Sequence, residues 1–170
     1  MKRWIGPIIV VLVVALLGYG LLKEDDTPSS PIVDRPAPEF TLKSLEGQEY
    51  QLSKLKGRPV VINFWASWCL PCRVEAPVYR TLTQQAGDQV EFLGIAFNDD
   101  QKKAQAFQEE FGLKLPILWD PGSRVAIDYG VAQIPVTLVL DQNGTIVYRH
   151  LGEVDLETMQ GVLSRLGVKL

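Results

Sequence analysis

The sequence predicts an α/β domain, a mixed β-sheet flanked by helices, on three observations. Val60-Val61-Ile62-Asn63-Phe64-Trp65 is a nearly unbroken apolar run rich in β-branched and aromatic residues, the pattern of a central strand buried on both faces. Runs of that kind alternate with stretches of helical periodicity, which places helices on the faces of a sheet rather than in a bundle. Near the end, two apolar segments flank the turn Asp141-Gln142-Asn143-Gly144, so a hairpin adds antiparallel pairing.

Each element follows in order. Residues 40–55 read as a hairpin turning at Glu46-Gly47, then a short helical turn with Leu55 toward the core. The charged turn Lys56-Gly57-Arg58-Pro59 precedes the central strand. A helix over residues 71–86 aligns Val74, Val78 and Leu82 on one face, and Pro77 should bend it by removing a backbone donor. Residues 90–97 form the next strand. Asp99 or Asn98 caps a helix ending near Phe111, with Ala106 and Phe107 as its apolar side. A short strand over 116–119 leads through Asp120-Pro121-Gly122-Ser123 into a helix ending near Tyr129. After the hairpin, Asp155 caps a last helix that runs to about Leu166.

Composition narrows the class. The chain has 170 residues, 46% hydrophobic and 22% charged, which suits one domain and excludes disorder. A net charge of −3 gives no general attraction to nucleic acid. Two cysteines cannot build a disulfide framework.

The averages conceal an uneven amino terminus. After Met1-Lys2-Arg3, residues 4–22 contain no charge, and Glu24, Asp25 and Asp26 follow soon after. A helix rising about 1.5 Å per residue over that run approaches the thickness of a bilayer core. The basic residues keep the amino terminus in the cytoplasm, so the rest is expected outside. The expectation is an uncleaved signal anchor at 1–22. Cleavage is the competing reading, but Gly18-Tyr19-Gly20-Leu21-Leu22 offers no Ala-x-Ala site. Residues 23–36, with Pro28, Pro31 and Pro36, read as an extended tether. The folded domain is expected over 37–170.

The chemistry lies in Trp68-Cys69-Leu70-Pro71-Cys72-Arg73, between the buried strand and its helix. A helix amino terminus favours anionic sulfur and lowers a thiol pKa. Cys69, nearer the exposed turn, is assigned as nucleophile, and Cys72 as the resolving thiol that attacks a mixed disulfide. An inert structural disulfide is the bland alternative. Half of a zinc site is another, but zinc wants four ligands and the chain has one histidine, His150, and no second cysteine pair. No metal and no cofactor are expected.

The stretch Phe64-Trp65-Ala66-Ser67-Trp68-Cys69-Leu70-Pro71-Cys72-Arg73 resembles the active-site segment of the thioredoxin superfamily. Ile134-Pro135-Val136-Thr137 resembles that fold's loop whose cis-proline faces the cysteines. The resemblance implies a thioredoxin-like fold with an amino-terminal hairpin extension and a helical insert. It also implies a cis bond at Pro135, with Ile134 presenting its backbone to an extended peptide. A narrower likeness, to membrane-anchored proteins of the ResA, TlpA and CcmG type, rests on four features. These are the anchor, the segment Ala37-Pro38-Glu39-Phe40, Glu75 in Cys-x-x-Cys-x-x-Glu-x-Pro, and an insert over 101–111. That likeness implies reduction of an exported protein disulfide, apocytochrome c above all, with electrons from a membrane thiol donor.

Asn63 stands where thioredoxin usually carries a buried aspartate, and it cannot ionise. Glu75, three residues after Cys72, then becomes the candidate for proton transfer and tuning of the cysteines. Its bland reading is an exposed first-turn acid. Pro71 shapes the redox pair by supplying no backbone donor. Trp68 shields the pair and offers a peptide apolar contact, whereas Trp65 reads as packing. Arg73 either supports the thiolate or is merely exposed, and His150 is not a catalytic choice. A peroxiredoxin-like peroxidase is an alternative with a related fold, but its cysteine normally sits in a Thr-x-x-Cys setting. A general oxidase or isomerase, or a non-catalytic interaction module, are the others.

Overall fold

A computed structural model describes residues 32–170. Its strands are β1 (Thr41–Ser44), β2 (Glu49–Gln51), β3 (Val60–Trp65), β4 (Glu91–Ala96), β5 (Ile117–Trp119), β6 (Val136–Leu140) and β7 (Ile146–Leu151). The helices are α1 (Leu70–Ala86), α2 (Gln101–Phe111), α3 (Arg124–Asp128) and α4 (Leu156–Arg165). The strands form one mixed sheet in the order β2-β1-β5-β4-β3-β6-β7. β3, β4 and β5 run parallel, while β6, β7, β1 and β2 pair antiparallel to their neighbours.

Every residue of β3 is buried, as its unbroken apolar run requires. The alternation of strand side chains divides the core in two. Val61 and Trp65 join Tyr79 and Leu82 of α1, Phe107 of α2 and Met159 of α4 on one face. Val60, Ile62 and Phe64 join Phe40, Leu52 and the α3 region on the other. The indole of Trp65 lies 4.3 Å, centroid to centroid, from Phe107, confirming its packing role. Gly94, on β4, leaves room for it: a Cβ there would sit 2.8 Å from Trp65 Nε1 and 2.9 Å from Ile117 Cδ1.

Several local expectations are corrected. Val74 is 61% exposed, and α1 instead buries Cys72, Glu75, Ala76, Tyr79, Leu82 and Ala86. The helix expected over 71–86 is present, with Pro77 inside it and its end at Ala86 as expected. In α2 the inward residues are Ala104 and Phe107, not Ala106. Asp100, rather than Asp99 or Asn98, caps α2 by accepting from the N–H groups of Lys102 and Lys103. Asp155 does cap α4, accepting from Thr158 N–H at 2.8 Å. The strand expected over 145–148 extends to Leu151.

The packed unit begins at Ile32, ahead of the expected boundary at Ala37. Asp34 N–H donates to Ile146 O, Ile146 N–H donates to Arg35 O, and Ala37 N–H donates to Gly144 O. The bonds of Asp34 and Arg35 fasten residues expected in the tether to the β6–β7 hairpin, and the third fastens Ala37 to it. The anchor at 1–22 and the first part of the tether lie outside the described residues. No helix among the described residues is long and apolar enough to cross a membrane.

Candidate active site

β3 ends at Trp65, and the chain turns through Ala66, Ser67 and Trp68 before Cys69, the N-cap of α1. Cys69 and Cys72 form a disulfide with Cα atoms 5.3 Å apart. Both are buried, Cys69 at 5% exposure and Cys72 at 2%. Cys69 Sγ accepts from Cys72 N–H at 3.3 Å. Pro71, inside the first turn, has no N–H, so the donor at this cap comes from Cys72. Once Cys69 is a thiolate, that donor and the aligned peptide dipoles of α1 stabilise its charge.

Glu75 is buried, 1% exposed, which removes the reading of an exposed first-turn acid. Asn63 Nδ2 donates to its Oε1 at 2.9 Å, and Val154 N–H donates to its Oε2 at 3.1 Å. Burial pushes its carboxyl up to about 7, against those two hydrogen bonds and with help from the neighbouring Glu153 charge. Glu75 therefore changes charge near neutral pH, one helical turn from Cys72. Asn63, an amide where a second carboxylate would repel Glu75, orients that carboxyl instead.

The Ile134–Pro135 peptide bond is cis. Val136 pairs with Phe64, so this loop stands at the end of the sheet where β3 delivers Cys69. Ile134 is half-buried against the core cluster that contains both cysteines. Trp68 is 59% exposed, and its Nε1 donates to Asn98 O at 3.1 Å. Leu70, at 72% exposure, and Val74 extend an apolar surface along α1. The Arg73 guanidinium lies over the Phe107 and Phe111 rings and pairs with Glu110. His150 interacts with Tyr148 and the Glu153 carbonyl.

Two members of the buried site were missed. The Tyr79 hydroxyl lies 2.6 Å from Thr137 Oγ1, and burial first, then the Glu75 charge, hold its phenol well above the ordinary range. Thr137 is the cross-strand partner of Asn63, so both point to the same face. The available signals were Tyr79 one turn beyond Glu75 and Thr137 two residues after Pro135. A small cavity of about 10 Å³ adjoins Cys72, Asn63, Trp65, Tyr79 and Phe107.

This sheet, its helices and a dithiol–disulfide pair at a helix amino terminus define a thioredoxin-like thiol–disulfide oxidoreductase. The chain belongs to the AhpC/TSA family, whose model matches residues 33–149. It is 36% identical over 143 residues to the thiol-disulfide oxidoreductase ResA of Geobacillus thermodenitrificans, covering 82% of this chain and 81% of that one. It is 35% identical over 159 residues to the thiol:disulfide interchange protein DsbE of Escherichia coli, covering 88% and 84%. Among solved structures, a secreted disulfide oxidoreductase of Mycobacterium tuberculosis superposes with a TM-score of 0.69 at 27% identity, over 75% of this chain and 96% of that one.

Proposed function

We propose that this chain is a membrane-anchored, extracytoplasmic reductant of protein disulfides, with apocytochrome c as its leading substrate. The observation that carries the reading is the Cys69–Cys72 pair at the start of α1, with Cys72 N–H on Cys69 Sγ and buried Glu75 one turn away. In the dithiol form, Cys69 thiolate attacks one sulfur of a substrate disulfide. A mixed disulfide forms and the other substrate sulfur leaves as thiolate. Cys72, deprotonated in turn, attacks Cys69 Sγ; the Cys69–Cys72 bond forms and the second substrate thiolate departs. Two electrons pass to the substrate, and the two thiol protons end on its sulfurs. Glu75, titrating near 7, takes and returns the Cys72 proton in this scheme. A membrane dithiol donor reverses the sequence to restore the reduced pair.

Trp68 gives apolar contact to the substrate segment, and Ile134, before cis-Pro135, offers its backbone. The uncharged run at 4–22 and the tether after it support anchoring, which would raise the local concentration of membrane-bound partners.

The test is single-turnover reduction of a synthetic peptide carrying a Cys-x-x-Cys-His disulfide by the reduced full-length chain in detergent. One peptide disulfide should be reduced per chain, with slow peroxide consumption under the same conditions. Rapid peroxide turnover without peptide reduction would establish the peroxidase alternative. In place of the threonine of a Thr-x-x-Cys setting, this chain has Ala66.

A further inference from the structure

We propose that Asp99 is a positioning residue for disulfide exchange, holding the Ser67–Trp68 turn so that the indole of Trp68 is a fixed apolar platform beside Cys69. The inference rests on the oxidoreductase reading and adds to it a residue from outside the cysteine segment. Asp99 lies in the loop between β4 and α2. Its Oδ1 accepts from Ser67 Oγ at 2.8 Å and from Asp100 N–H at 2.8 Å, and its Oδ2 accepts from Ser67 N–H. The preceding residue completes the attachment through Asn98 O and Trp68 Nε1. Three bonds thus join two consecutive loop residues to the two residues immediately before the nucleophile.

Helix capping does not account for this carboxylate, because Asp100 performs that task for α2. The loop is also shaped for the contact. Asn98 has φ of 44°, a left-handed conformation uncommon outside glycine, in which its carbonyl meets the indole. The attached indole remains 59% exposed, so the bonds fix it without burying it. With exposed Leu70 and Val74 nearby and Arg73 occupied by Glu110, the surface beside the pair is apolar. It suits an unfolded segment whose cysteines are flanked by apolar residues. A side chain ordered before binding has less freedom to lose when the substrate arrives.

The test compares wild type, Asp99→Ala, Asp99→Asn and Ser67→Ala as reduced full-length chains in detergent. The substrates are a Cys-x-x-Cys-His disulfide peptide with apolar flanks and hydroxyethyl disulfide, which carries no apolar flanking residues to lay on Trp68. Asp99→Ala should raise the half-saturating peptide concentration about five- to tenfold, the cost of ordering one large side chain on binding. Its limiting rate, and its rate with hydroxyethyl disulfide, should fall by less than about twofold. Asp99→Asn should move saturation partway, since its amide can accept from Ser67 N–H and donate to Ser67 Oγ but then sets its NH2 against Asp100 N–H, and Ser67→Ala should also move it partway. The inference is overturned if folded Asp99→Ala saturates as wild type does, or if both substrates slow equally. Should Asp99→Ala not fold, unchanged saturation in Ser67→Ala overturns it. Wild type inactive on both substrates would instead defeat the oxidoreductase reading itself.

Discussion

Replacing Glu75 by glutamine should make the protein more stable at alkaline pH while leaving it nearly unchanged in acid. In the folded chain the carboxyl is pushed from its ordinary 4.5 to about 7 by burial. At about 1.36 kcal/mol per pKa unit, that displacement corresponds to a penalty on the order of 3 kcal/mol for holding the ionised form inside the fold. The direction follows from proton counting. Between about pH 4.5 and 7 the unfolded chain has released a proton that the folded chain retains, so Glu75 lowers stability progressively as pH rises. Above 7 the penalty is complete and constant. A neutral glutamine never incurs it. Near pH 4.5 the protonated carboxyl and the amide each offer one carbonyl oxygen to the donors Asn63 Nδ2 and Val154 N–H. The two proteins should then differ by less than about 1 kcal/mol, rising to about 3 kcal/mol in favour of Glu75→Gln by pH 8. Urea unfolding of the oxidised full-length chains in detergent, followed by near-ultraviolet circular dichroism at several pH values, reads the difference. A gap independent of pH, or a variant less stable at pH 8, would refute the reasoning.

Other substitutions test the surrounding packing. Tyr79→Phe leaves the fully buried Thr137 hydroxyl without its 2.6 Å partner and should cost about 1–3 kcal/mol in urea unfolding. Gly94→Ala forces a methyl against Trp65 and Ile117 and should cost about 1–3 kcal/mol, with a change in the aromatic dichroism of Trp65. Val74→Gln should stay within about 0.5 kcal/mol of wild type, because that side chain is exposed. Leu82→Ala, on the buried face of the same helix, should cost about 2–5 kcal/mol by thermal or urea unfolding.

The contrast between Val74 and Leu82 shows where sequence reading succeeds and where it stops. An apolar run such as β3, a proline-spaced cysteine pair and a four-residue turn are local signals, and each element they mark is present. The phase of α1 is not local. A stripe through Val74, Val78 and Leu82 and one through Cys72, Glu75, Tyr79 and Leu82 both fit helical spacing. What decides between them is the pairing of Glu75 with Asn63 of β3, on the sheet face that α1 covers, and with Val154, which lies 79 positions away. A buried carboxylate is the less expected inward residue by hydropathy alone. Asp99 was misread for a related reason. Asn98 and Asp99 were the expected caps, but Asp100 takes that place by accepting from Lys102 and Lys103 N–H, while Asp99 turns to Ser67, 32 positions earlier. Tyr79 and Thr137 meet across 58 positions, beyond the reach of any periodicity.

The central claim is that Cys69 attacks and Cys72 resolves, and the most direct measurement is where a substrate becomes trapped. Full-length Cys72→Ser in detergent, mixed with a disulfide peptide and analysed by mass spectrometry after proteolysis, should carry the peptide on Cys69 as a persistent mixed disulfide. Cys69→Ser should form little adduct under the same conditions. A stable adduct on Cys72 in the Cys69→Ser variant, with none on Cys69 in its counterpart, would contradict the account.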